Sequence, residues 1–175
     1  MPDLHDAPRS VVSATVYRVV HKGIDPLSSR GSELNGGRYN LPGTKGILYA
    51  SFEKVTAVAE IAKGLKARGI NPEEYGPDDW WAYELELTSS RVLDLTDAKV
   101  LEKLQISAAA IVGDEVAVTR QVGKQALEAG YEAIVAPSAA RGEGKNLVIF
   151  LSTAAQVPTV KASTPVDLSQ EAASQ

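Results

Sequence analysis

Arg38 carries the clearest chemical signal in this sequence. It directly follows Gly36-Gly37, in the stretch Gly31–Ser51. A guanidinium presents a planar fork suited to phosphate or carboxylate. A glycine pair before it permits backbone shapes closed to other residues. Between His21 and Gly46 the sequence shows neither a period of 2 nor one of 3.6, and glycines and prolines punctuate it. A connection of that length without structure of its own is usually functional or disordered. Leu27, Leu34, Tyr39 and Leu41 give it apolar anchors and its charge is modest, unlike a solvated linker. A rigid loop around an anionic ligand is expected.

Four further residues are candidates. Glu60 falls opposite the apolar stripe of a predicted helix, which favours a solvated glutamate. Its neighbours at i±3 and i±4 are Thr56, Ala57, Lys63 and Gly64, three of them small, which leaves room for a ligand against the carboxylate. Both readings stand. Arg18 lies mid-strand and points away from Tyr17 and Val19, either half-exposed or lining a cleft. Tyr49 reads as a core aromatic or as a wall for a flat ring. Ser138 follows Pro137 at a strand end, where serine often caps a turn. His5 and His21 have no partners at metal-ligand spacing and read as solvated loop residues. Gly142-Glu143-Gly144 is not a phosphate-loop pattern. No metal is expected.

The elements that must position these residues follow from pattern. Ala14–Val20 and Gly46–Ala50 read as strands. Ser51 is the expected N-cap of a helix running to about Ala67, with an apolar face of Val55, Val58, Ala59, Ala62 and Leu65. Trp80–Thr88 and Arg91–Leu95 read as two strands, with one indole of Trp80-Trp81 in the core and the other at an interface. Thr96 is expected to cap a helix to Leu104. Asp114–Ala129 reads as one helix closed by Gly130. Ala133–Ala136 and Asn146–Ser152 are strands around a polar loop. The fold class is α+β, with mixed or antiparallel sheets and a few helices. Residues 1–12 read as a flexible leader, 13–152 as a single domain, and 153–175 as an edge segment and polar tail.

Bulk properties narrow the function classes. A chain of 175 residues suits one domain with a real core. A net charge of −4 argues against a general nucleic-acid binder. The absence of cysteine removes disulfides and thiolate chemistry. No secretory signal and no apolar run of membrane-spanning length are visible. The expectation is a cytoplasmic protein with no membrane and no direct nucleic-acid partner.

Several pieces together resemble the RES-domain family, named for its Arg, Glu and Ser residues. They are Tyr17-Arg18-Val19; Leu27–Asn40 with Gly36-Gly37-Arg38-Tyr39-Asn40; Ile47–Ser51 with Tyr49; Ala59-Glu60; Ala136-Pro137-Ser138; and Asn146–Phe150. The match spans about residues 14–152, with Tyr39 where tryptophan is common. The resemblance implies a fold similar to mono-ADP-ribosyltransferases. It also implies a toxin that consumes NAD⁺, arrests growth and is neutralised by an Xre-like antitoxin, as a homodimer or a toxin–antitoxin hetero-oligomer. Under it, Arg18 and Arg38 hold the pyrophosphate, and Tyr39 and Tyr49 contact the substrate. Glu60 stabilises the charge that develops as the nicotinamide bond breaks, and Ser138 and Asn146 position substrate. Catalysis falls to Glu60, Arg38 and Tyr49. The ADP-ribosyl acceptor is water or phosphate; the alternatives are transfer to a protein, or an inactive binding module.

Overall fold

The structure is a computed structural model and describes residues 4–169. The described residues contain six strands: β1 (Ser10–His21), β2 (Ile47–Ser51), β3 (Trp80–Asp94), β4 (Ala133–Pro137), β5 (Lys145–Phe150) and β6 (Thr159–Val166). The helices are α1 (Arg30–Asn35), α2 (Lys54–Lys66), α3 (Ala98–Leu104), α4 (Ala108–Val112) and α5 (Ala117–Glu128). Strand order is β1-β2-β5-β4-β3-β6, and β1 also pairs with β3. The first five strands in that order therefore close into a small barrel, with β6 added along β3. All pairings are antiparallel except β3–β4. The α+β expectation holds, and the closure adds to it.

Period-2 alternation sorts the side chains into layers. Leu147 and Ile149 of β5, Ala133 and Val135 of β4, and Leu48 and Ala50 of β2 fill the barrel. Their neighbours Val148, Phe150, Ile134, Ala136 and Ile47 point outward and pack under α3–α5 with Tyr39, Ile111 and Val122. Because both faces are covered, β4 and β5 read as continuous apolar runs rather than alternating ones. A third cluster joins Ala57, Val58 and Leu65 of α2 to Val19, Trp80 and Ala82.

Several boundaries differ from the sequence reading. The Gly-rich connection contains α1. Ser51 ends β2 and does not cap α2, whose N-cap is Glu53. The stripe of α2 is rotated: Val55 is exposed and Thr56 is buried. β3 is one strand: its second edge passes from β6 to β4, and its pairing with β1 resumes at Val92 after an irregularity between Ser10 and Val12. Asp97 caps α3, while Thr96 bonds Asp94. Residues 114–129 hold only α5, and α4 precedes it. Within the expected leader, β1 begins at Ser10 and Leu4 is buried, the Tyr131 hydroxyl lying in hydrogen-bond range of the Leu4 and Ala7 carbonyls. Thr159–Val166 does form the expected edge strand. Trp80 is buried and Trp81 only half-buried. His21 ends β1 and stacks edge-on against Trp80 and Tyr75, so it is not a loop residue.

Candidate active site

β1 and β2 pair at a single position, Tyr17 opposite Ser51. Beyond it the strands part, and Arg18 bridges them. Its Nη1 donates to the Tyr49 carbonyl at 2.9 Å and its Nη2 to the Ser28 carbonyl at 2.8 Å, while Nε is buried with no hydrogen-bond partner among the described residues. Burial pushes this guanidinium down to about 10, against an opposing pull from Asp25, so it stays charged at neutral pH. The opening between the strands becomes a cleft of about 780 Å³. A smaller chamber of about 90 Å³ beside it is walled by Tyr17, Tyr49, Ile61 and Glu60.

Glu60 stands on the cleft wall, on the face of α2 that does not enter the core. Its Oε1 accepts from Ser138 Oγ and from Asn146 Nδ2, both at 2.6 Å. Ser138 comes from the turn after β4. Its Oγ also accepts from the Ala140 and Arg141 amides, so its one proton is directed at Glu60. Asn146, the second residue of β5, lies opposite Ser51, and its Oδ1 accepts from Ser51 Oγ at 2.7 Å. Donors from the turn after β4 and from β5 thus fix one carboxylate oxygen, with Ser51 of β2 behind Asn146. Among the described residues, Glu60 Oε2 takes no hydrogen bond. Bonds to an ionised carboxylate are worth about 1.5–3 kcal/mol each, so this rotamer is strongly specified. Of the two readings of Glu60, the geometry matches a held carboxylate beside a cleft.

The loop before β2 forms the opposite wall. The Tyr49 hydroxyl accepts from the Tyr39 amide at 3.0 Å and donates to Asn40 Oδ1 at 2.7 Å. Burial raises this phenol well above its ordinary range, so it remains a neutral donor. Gly37 lies flat against the Tyr49 ring: an added Cβ would come within 2.6 Å of Cζ. Arg38 ties the loop to the end of α4, donating to Ile111 O at 3.1 Å and Gly113 O at 2.6 Å. It lines the cleft as well. Arg120 of α5 answers with Nε to Gly37 O at 3.0 Å. Tyr39 is buried in the core cluster under α5, with its hydroxyl unpartnered among the described residues and burial raising its pKa, and it contributes part of the cleft wall.

The structure therefore brings Arg18, Arg38, Tyr39, Tyr49, Glu60 and Asn146 to one cleft, with Ser138 bonded to Glu60 behind it. It also adds residues that the sequence reading missed. Arg30 of α1, Arg68 after α2, and the pair His21–Trp80 line the same space. Four arginines then face a lining whose one carboxylate is Glu60, in a protein of net charge −4. Arg68 was findable, since Glu60, Gly64 and Arg68 recur every fourth residue on one helix face. Among the described residues no cluster of three or more His, Cys, Asp or Glu could hold a metal ion, and no helix is long and apolar enough to cross a membrane.

Comparisons with known proteins bear on the fold and the family. The solved toxin–antitoxin complex MbcT–MbcA of Mycobacterium tuberculosis contains a chain of the same fold. Its TM-score is 0.79 at 22% identity, over 93% of this chain and 88% of that one. A Mycobacterium tuberculosis protein described as a "Probable NAD(+) phosphorylase" is 28% identical over 148 residues, 83% of this chain and 68% of the relative. The RES domain model matches residues 15–169. On that match, the chain belongs to the RES domain family.

Proposed function

We propose that this protein cleaves NAD⁺ at the bond between nicotinamide and its ribose and acts as the toxin of a toxin–antitoxin pair. The observation that carries the reading is Glu60, held through Oε1 by Ser138 and Asn146 on the wall of a cleft bearing Arg18, Arg30, Arg38 and Arg68. NAD⁺ joins a pyrophosphate dianion to a cationic nicotinamide. The guanidinium surplus suits the first part and the single carboxylate suits the second. As the C–N bond breaks, its electron pair leaves with neutral nicotinamide and positive charge develops on the ribose. A preorganised carboxylate stabilises that charge more than it stabilises the ground state. Tyr49 supplies an aromatic wall, and its hydroxyl is already committed to the loop.

The acceptor is inorganic phosphate, with water as the slower competitor. The description of the Mycobacterium tuberculosis relative supports phosphate. An oxygen of HPO₄²⁻ forms the new bond to the ribose carbon, giving nicotinamide and ADP-ribose 1-phosphate with no change in total charge. Incubating the protein with NAD⁺, with and without phosphate, tests this. Phosphate-dependent ADP-ribose 1-phosphate is expected. Free ADP-ribose alone would reassign the acceptor to water, and label in an added cell protein would make the protein a mono-ADP-ribosyltransferase.

The sheet and cleft also support a relationship to the mono-ADP-ribosyltransferase fold. An enzyme that spends NAD⁺ in the cytoplasm needs a dedicated inhibitor, and an Xre-like antitoxin fits that role. Expression alone is expected to arrest growth, and co-expression with the antitoxin to restore it. A wild-type protein as harmless as its Glu60→Gln variant would end the toxin reading.

A further inference from the structure

Ser51 has no part in the chemistry assigned above, yet it sits where β1, β2 and β5 meet beside the site. It is buried, pairs with Tyr17 across β1–β2 and with Asn146 across β2–β5, and donates to Asn146 Oδ1 at 2.7 Å. A side-chain amide has an accepting end and a donating end of nearly the same shape. Asn146 serves Glu60 only when Nδ2 faces the carboxylate, as it does at 2.6 Å. Turned by half a rotation, it would set Oδ1 against a carboxylate oxygen, lone pair to lone pair. Ser138 does not prevent that turn, because it contacts Glu60 and the backbone but not Asn146. The accepting Glu60 oxygen itself selects the Nδ2 end, and Ser51, whose hydroxyl can donate or accept, anchors the other end of the amide by donating to Oδ1.

We propose that Ser51 is a positioning residue that anchors the Asn146 amide by its hydrogen bond to Oδ1 and, through it, the placement of the Glu60 carboxylate. The kinetic part of this inference rests on the NAD⁺-cleaving reading; the structural part does not. The chain Ser51–Asn146–Glu60 runs from the single β1–β2 pair to the cleft wall, so one residue serves both strand pairing and site geometry. Misplacing a reacting-site group by as little as an ångström costs on the order of a hundredfold in rate. The loss belongs in kcat, since Ser51 holds the carboxylate and not the substrate's phosphates.

Two readouts test it on the full chain. In ¹⁵N-labelled protein, the Asn146 side-chain NH₂ signals are expected to be distinct and protected in the wild type, and to shift and exchange rapidly in Ser51→Ala. With NAD⁺, Ser51→Ala is expected to lose about tenfold or more in kcat with KM within about twofold. Ser51→Thr, which keeps the hydroxyl, is expected to retain wild-type kcat. Adding Ser51→Ala to Asn146→Ala is expected to cost nothing further, because the first residue acts through the second. Ser51→Cys, nearly the same size with a weaker donor, replaces the alanine variant if that variant melts early. An unchanged Asn146 signal in Ser51→Ala, or kinetic losses that multiply with those of Asn146→Ala, would overturn the inference. If the wild type leaves NAD⁺ intact while the Asn146 signal still changes, the positioning role stands and the proposed reaction falls.

Discussion

Glu60 commits Oε1 to two neutral donors and keeps Oε2 unbonded among the described residues, an arrangement suited to meeting positive charge. Glu60→Gln preserves the shape and removes that charge. Its kcat for nicotinamide release is expected to fall roughly 10²–10³-fold with little change in KM. The arginines divide differently. Arg18 and Arg38 already spend donors on the carbonyls of Tyr49, Ser28, Ile111 and Gly113. Arg30 donates no side-chain hydrogen bond to the described residues, and Arg68 gives only Nε, to Gly64. Arg30→Gln and Arg68→Gln are therefore expected to raise KM for NAD⁺ several-fold at low salt, and less at high salt, where exposed charges are screened. A fall in kcat at unchanged KM would contradict that assignment. Sequence alone gave both readings of Arg38, as a ligand for anions and as a tie to backbone carbonyls, and the structure contains the tie within the cleft wall. Arg30 stayed hidden because α1 was read as irregular loop.

At the scale of elements, the loop Gly36–Asn40 is clamped from outside the sheet. Arg38 reaches α4, Arg120 of α5 reaches back, and Gly123 lets α5 lie against the Tyr39 carbonyl. A Cβ on Gly123 would overlap that carbonyl. Alanine is favoured over glycine inside a helix by about 1 kcal/mol, so propensity alone predicts stabilisation. The clash is with backbone on both sides and cannot be relieved by a rotamer. Overpacking of this kind costs about 1–3 kcal/mol. Gly123→Ala is thus expected to lower the melting temperature and raise KM together, as the loop moves off its wall; a raised melting temperature with unchanged KM would refute the clamp. Nothing in the sequence near Gly123 marks this contact. It depends on two segments far apart in the chain, and a glycine in a helix pattern looks only like a weak helix former. The strands β2, β4 and β5 were legible because burial on both faces leaves an apolar run. The bounds of α2 were less so, since Ser51 has cap chemistry but serves Asn146 instead.

Across the whole molecule, stability and the proposed catalysis rest on different carboxylates. Glu132 lies before β4, away from the cleft lining, and accepts from Ser89, the Ser90 amide and Arg91. Burial alone would raise its pKa; the two serine donors and Arg91 outweigh that and hold it below the ordinary 4.5. A depressed folded value means that its stabilisation is complete above the unfolded range and is lost as pH falls through the folded value. Glu132→Gln is expected to lower the melting temperature at pH 7, with the deficit shrinking below about pH 4.5, while NAD⁺ turnover per folded molecule is unchanged. The mixed α+β class was readable from element order. Barrel closure was not, because the pairing of β1 with β3 joins strands separated by α1, β2 and α2, and local pattern does not record such a contact. The central claim is that the held Glu60 carboxylate in an arginine-lined cleft breaks the nicotinamide bond of NAD⁺. The most direct measurement is the nicotinamide released from NAD⁺ in phosphate buffer by purified, antitoxin-free wild type and by folded Glu60→Gln. The account predicts stoichiometric and then multiple-turnover release by the wild type and a loss on the order of a hundredfold or more in the variant; intact NAD⁺ with the wild type, or equal release by both proteins, would contradict it.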